Sequence, residues 1–204
     1  MILTKKQISY LTESTANPWV RPTLAYVYYL PETKKIVSTD SFRLHELSID
    51  LWEERLYFND KGESVTPSPL GRFPDYEGFF PKDTRKYNVL VDSENLKLMD
   101  YLLKPFGYHV TLNFKTRKMS VHGYNPAIED FKCECFFTKA EIDIEYDIGI
   151  NVHYLYTALR HYDKANTKTV VAVESKAPMS PFVTYWTIDW LPVRSLIMPI
   201  KIKP

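Results

Sequence analysis

Glycine and cysteine are scarce in this sequence, with six and two residues among 204. Two cysteines cannot form a disulfide scaffold. No apolar run approaches the ~18 residues that a membrane span requires. The first residues, Met-Ile-Leu-Thr-Lys-Lys-Gln, lack the apolar stretch and small-residue site of a secretory signal, so a cytoplasmic location is expected. An excess of either charge is also missing. Lys plus Arg number 26 and Asp plus Glu 25, a net charge of +1. That balance argues against a protein gripping nucleic acid by charge alone, but leaves room for a local basic surface.

Aromatic residues are plentiful: 15 Tyr, 11 Phe and 4 Trp, beside 14 Pro. With 45% apolar and 25% charged residues, the composition is that of a folded globular chain, and the aromatics point to sheet-rich packing. At ~100–200 residues per domain, the length allows one large domain or two small ones.

Three segments share one layout, a helical pattern followed by strand patterns. The first helix is expected over Thr4–Glu13, with Thr4 and Gln7 spaced as a capping box. Strands follow at Leu24–Leu30 and Lys35–Thr39. The second helix spans Ser93–Lys104, with Leu96, Met99 and Leu103 on one face, Ser93 as its N-cap, and Pro105 and Gly107 ending it. Alternation then marks Val110–Phe114, a return strand at Met119–Val121, Phe131–Phe137 and Ile142–Tyr146. The third helix is expected over Asn151–Tyr162, followed by strands Thr169–Glu174, Phe182–Asp189 and Leu196–Lys203. The fold class is therefore α+β, built on a β-α-β-β-β module used three times. Residues 48–84 fit none of the modules, and their prolines (Pro67, Pro69, Pro74, Pro81) suit a connecting segment.

Catalytic and metal motifs are not evident. No histidine pair has the i, i+4 spacing of a metalloprotease helix. Cys133 and Cys135 share a strand face, where a metal half-site would need a second pair, so they read as packed thiols. Glu141, Asp143, Glu145 and Asp147 read as the wet face of a strand rather than a divalent-ion site. There is no glycine-rich phosphate loop and no G-x-S-x-G. No catalytic residue, metal or cofactor is assigned.

Four stretches, in order, resemble the bacterial DNA sliding clamp, the β subunit of DNA polymerase III. Val37-Ser38-Thr39-Asp40-Ser41-Phe42-Arg43-Leu44 is similar to the family's T-D-G-H-R-L. Arg72-Phe73-Pro74-Asp75-Tyr76-Glu77-Gly78-Phe79-Phe80-Pro81 is similar to R-F-P-D-Y-x-x-x-x-P. Ile150-Asn151-Val152-His153-Tyr154-Leu155 is similar to a helix start, F-N-x-x-Y-L, and Ser195–Ile202 to the terminal Y-V-V-M-P-M-R-L.

The resemblance implies the DNA clamp fold, with sheets outside and helices lining a hole, in a reduced form such as a phage or mobile element would carry. It implies one middle-domain-like module at 1–47, a connection at 48–84 holding the F-P-D-Y motif, and a complete two-module domain at 85–204. A family ring has twelve modules, so four chains of three would close one. The expected function is a processivity factor that encircles duplex DNA and tethers a polymerase. The alternative is a clamp-derived adaptor or inhibitor that captures clamp-binding peptides or pairs with a host clamp.

The peptide pocket of the family maps here to Leu24, Thr39, Ser41, Phe42, Arg43, Leu44, Pro74, Phe79, Pro181, Ile197, Met198 and Pro199. Apolar residues suit the Leu and Phe anchors of an extended peptide, and Met adapts to varied partners. Ser41 and Phe42 replace the family's Gly and His, and Glu77 and Gly78 stand where basic residues are frequent. Lys5, Lys6, Lys97, Lys104 and Arg160, on or beside the helices, are the candidates for facing DNA, with solvated helix-face charge as the alternative.

Overall fold

The computed structural model describes residues 3–51, 57–59, 61, 63–65, 73–81, 87–89, 91–125, 129–136, 138, 144–162 and 171–201. Helix α1 (Lys5–Thr12) leads into β1 (Val27–Leu30), β2 (Lys35–Thr39) and β3 (Arg43–Ser48). Two short strands, β4 (Tyr57–Phe58) and β5 (Ser64–Val65), follow. Then come β6 (Tyr87–Val89), α2 (Ser93–Leu103), β7 (His109–Asn113), β8 (Lys118–Asn125) and β9 (Glu129–Phe136). The chain ends in β10 (Ile148–Asn151), α3 (Val152–Leu159), β11 (Val171–Glu174), β12 (Phe182–Ile188) and β13 (Leu191–Ile197). From β6 onward this is β-α-β-β-β written twice, and α1–β3 is the same unit without a described leading strand.

Local chemistry explains the helix ends. The Thr4 hydroxyl accepts from the Gln7 amide, and the Gln7 side chain accepts from the Thr4 amide, the reciprocal capping box. Asp92, not Ser93, caps α2, because its carboxylate accepts from the Asn95 amide. Gly107 ends the following turn at φ 87°, a conformation that glycine adopts without steric cost.

The strands form two antiparallel sheets. One runs β5-β4-β1-β2-β3-β13-β12-β11-β6 and the other β10-β7-β8-β9. The central event is β3 pairing with β13, which joins residues 43–47 to 193–197 in one ladder.

Several expectations shift. Leu24 lies in a short 3-10 turn (Pro22–Leu24), not a strand. Asn151 ends β10 and caps α3. Strand β13 starts at Leu191, five residues before the expected Leu196. The interruption is a tight turn at Asp189 and Trp190, both at positive φ, and Pro192 is tolerated because the ladder to β3 begins only at Val193. Within residues 48–84, β4 extends the sheet beside β1, and residues 73–81 form a strap across it. Phe137, the expected strand residues Ile142 and Asp143, and Thr169 lie outside the described residues.

Period-two alternation gives the large sheet two apolar faces. Ile36, Leu47, Ile188 and Ile197 join Tyr10 and Leu11 of α1, Leu96 and Met99 of α2, and Leu155 of α3 in one core. Tyr28, Val37, Leu44, Val183 and Leu196 point the other way, where Phe73, Tyr76 and Phe80 of the strap cover them. Helices therefore occupy one face of the sheet and the strap the other. Under α1 a row of buried polar side chains crosses four neighbouring strands: Ser38, His45, Ser195 and Thr184. Helix α1 is seated on it through Tyr10 Oη to Ser195 Oγ (2.8 Å), Ser14 Oγ to Ser38 Oγ (2.6 Å) and His45 Nδ1 donating to the Tyr10 carbonyl (2.6 Å).

Candidate functional site

The β2–β3 turn is built by its own side chains. The Asp40 carboxylate accepts from the amides of Phe42 (2.9 Å) and Arg43 (3.0 Å), and the Thr39 hydroxyl donates to the Arg43 carbonyl (2.6 Å). This forces Ser41 to φ 82°, where a side chain is strained. The same turn holds the segment after β13, as the Met198 amide donates to the Phe42 carbonyl (2.8 Å).

The strap is fixed by a buried charge cluster. Glu46, on the outer face of β3, is only 2% exposed. It accepts two hydrogen bonds from Arg194 (2.6 and 2.7 Å) and one from Tyr76 Oη (2.9 Å), with Lys35 Nζ at 3.4 Å. Arg194 and Lys35 also reach Glu77 of the strap, and the Arg194 guanidinium lies 3.6 Å from the Phe80 ring centroid. Burial, then the Glu46 charge, holds the Tyr76 phenol far above its usual range. Burial alone would raise the Glu77 carboxyl, but its bonds to Lys35 and Arg194 outweigh this and hold it below its ordinary value.

Between turn and strap lies a cavity of about 250 Å³, lined by Leu24, Thr39, Ser41, Arg43, Leu44, Phe73, Pro74, Asp75, Tyr76, Phe79, Leu196 and Met198. Its size suits one or two inserted side chains rather than a whole metabolite. Arg43 is buried in the wall: Nε donates to Asp40 (3.0 Å), Nη1 to Thr157 Oγ1 of α3 (2.6 Å), and its Cζ sits 4.6 Å from the Tyr154 ring centroid.

Of the residues singled out from sequence, Leu24, Thr39, Ser41, Arg43, Leu44, Pro74, Phe79 and Met198 line this cavity. Four do not. Ile197 points to the helix-side core, because neighbours on a strand alternate and Leu196 takes the outer face. Phe42 turns outward, 54% exposed, with Arg21 over its ring. Pro181 precedes β12 and Pro199 follows β13, both half-buried outside the lining. Sequence reasoning missed Phe73, Asp75, Tyr76 and Leu196. The first three stand in the quoted F-P-D-Y stretch, and Leu196 follows from its two-residue spacing to Met198.

On the helix side, Lys5, Lys97 and Lys104 are exposed and Lys6 half-exposed, and none makes an ion pair with a described residue. Arg160 differs, since its guanidinium is bound to Glu13 of the α1 C-cap. His161 also donates to Glu13 (2.8 Å), and His153 pairs with Asp100 between α3 and α2 (2.8 Å). Cys133 and Cys135 face α2, and burial pushes the Cys135 thiol up to about 11. No group of three or more His, Cys, Asp or Glu suited to a metal occurs among the described residues, and no described helix is long and apolar enough to cross a membrane.

Two antiparallel sheets, helices gathered on one face of the larger one and a strap-covered cavity on the other, are the architecture of the DNA clamp fold. The solved structures it matches include bacterial DNA polymerase III β sliding clamps. The clamp of Bacillus subtilis superposes with a TM-score of 0.71 at 18% identity, over 98% of this chain and 62% of that one. The β subunit of Thermotoga maritima gives 0.71 at 16% identity, over 97% and 63%. The Helicobacter pylori clamp bound to a DNA ligase peptide gives 0.67 at 15%, over 97% and 63%. The chain thus spans just under two thirds of these clamps and shares their fold. No protein-family model and no curated protein matches it.

Proposed function

We propose that this chain is a clamp-like processivity factor, copies of which assemble into a ring on duplex DNA while the outer cavity tethers a polymerase by a short peptide. One observation carries this reading: the cavity opens on the sheet face opposite the helices. A partner held there leaves the helix face free for DNA. Lys5, Lys6, Lys97 and Lys104 supply a modest positive field, which suffices where retention is topological. In this reading 1–47 is a half domain, 48–84 the strap-bearing connection and 85–204 a full clamp domain.

Light scattering tests it first. Four chains of 24.0 kDa make an assembly of about 96 kDa. Such a species, retained on circular DNA and released on linearisation, supports the ring. A monomer at all concentrations removes it.

The second reading, a non-ring adaptor or inhibitor that captures clamp-binding peptides or pairs with a host clamp, is favoured by two features of the helix side. Glu13 neutralises Arg160, and α2 exposes Leu98, Tyr101 (76%) and Leu102. Both readings keep peptide capture.

A further inference from the structure

We propose that Asp75 makes this cavity selective for basic peptides: an extended segment with apolar anchors and a lysine or arginine beside them. This rests on the peptide-binding reading above and adds the chemistry of the occupant.

Two charged residues line the cavity, Arg43 and Asp75. Arg43 is already neutralised by Asp40, bonded to Thr157 and stacked on Tyr154. The other basic groups anchoring the strap are also engaged: Arg194 by Glu46 and Glu77, and Lys35 by the same two carboxylates. Arg21 is exposed and outside the lining, bonded to the Ser41 hydroxyl and over the Phe42 ring. Asp75 alone of the lining charges is exposed and makes no hydrogen bond or ion pair with a described residue. Within the lining a ligand meets one carboxylate that has no partner among the described residues, set in an apolar wall, and complementarity there favours a cation.

The form of the ligand follows from the sheet. Strands β2, β3, β13 and β12 are all paired on both sides, so no open edge is available for strand addition at the cavity. The peptide must lie across the outer face and insert side chains between Leu44, Leu196 and Phe79. Gly78, three residues along the strap from Asp75 and outside the lining, has open space beside it: a Cβ built there meets nothing within 4 Å. A cation on the ligand can occupy that space, and so can one placed on the protein.

The test uses two fluorescent pentapeptides with the same Leu and Phe anchors, one carrying Lys and the other Glu between them, titrated against the full chain. The Lys peptide is expected to bind roughly three- to fivefold more tightly at low salt, the preference shrinking as salt is added. Asp75→Asn should abolish the preference, and Gly78→Arg should abolish or reverse it, with unfolding midpoints unchanged. Equal binding, or preference for the Glu peptide, overturns the inference while leaving peptide capture standing. If neither peptide binds, the peptide-binding reading fails with it.

Discussion

Glu46 and Arg194 stand directly opposite each other on β3 and β13, and the guanidinium grips the buried carboxylate through two hydrogen bonds of 2.6 and 2.7 Å. The pair therefore fastens the outer face at the ladder that joins the two ends of the chain. Breaking it leaves the partly buried Arg194 with the more exposed Glu77 as its sole carboxylate partner among the described residues, and frees Tyr76. Glu46→Ala is expected to lower stability by about 3 kcal/mol, read as the shift in urea midpoint. Glu46→Gln, which still accepts from Tyr76, should lose less. An unchanged midpoint in both would show that the strap is held by apolar packing alone.

His45 gives the protein an acid limit. Burial, reinforced by the Arg43 charge, lowers its pKa from 6.5 to about 3. Nδ1 donates to the Tyr10 carbonyl, and Nε2 is buried with no partner among the described residues, so folding favours the neutral ring. The unfolded chain binds the proton first. The stabilisation is complete above pH 6.5 and is lost as pH falls toward 3, by about 1.4 kcal/mol per pH unit inside that window. His45→Phe, which keeps the stack on Tyr10, should flatten this slope in urea unfolding between pH 6.5 and 4.5.

Ser41 sits at φ 82°, where the left-handed region costs a side chain about 1–2 kcal/mol. Ser41→Gly removes that strain and loses one exposed bond from Arg21. A gain of about 1 kcal/mol in thermal or urea unfolding is expected. A loss instead would mean that the Arg21 contact outweighs the strain.

Phe79 is 57% exposed although it lines the cavity, and Met198 is half-buried. Phe79→Ala and Met198→Ala should weaken capture of the Lys pentapeptide by tenfold or more, with little change in stability for Phe79. Unaltered binding in both would remove the cavity as the capture site.

Lys97→Ala and Lys104→Ala should each reduce the salt dependence of binding to a short duplex by about one unit in log–log slope. Arg160→Ala should change it little, because Glu13 already holds that charge. A large effect at Arg160 and none at the lysines would place DNA elsewhere.

Local elements were legible in sequence where local forces decide them. Helix α1 appeared with both halves of its capping box, and β2 at its observed bounds, because spacing alone specifies them. Strand β10 was missed since Ile148-Gly149-Ile150-Asn151 is short and glycine-broken, and its pairing with β7 is a tertiary event. The start of β13 was misplaced because Pro192 reads as a stop until its neighbours are known. Most of the cavity followed from the quoted motifs. Ile197 failed on strand parity, and the charge cluster was invisible because Tyr76 and Glu46 lie 30 residues apart, and Arg194 a further 118 beyond Tyr76.

The ladder between β3 and β13 also sets a timetable. During synthesis the turn at Thr39–Arg43 emerges long before Leu196 and Met198, which complete the cavity floor and rim. At ~5–20 residues per second, translation separates the two by many seconds. The cavity is therefore complete only once β13 and the segment through Met198 have been made, and a chain cut before Leu196 lacks part of its lining.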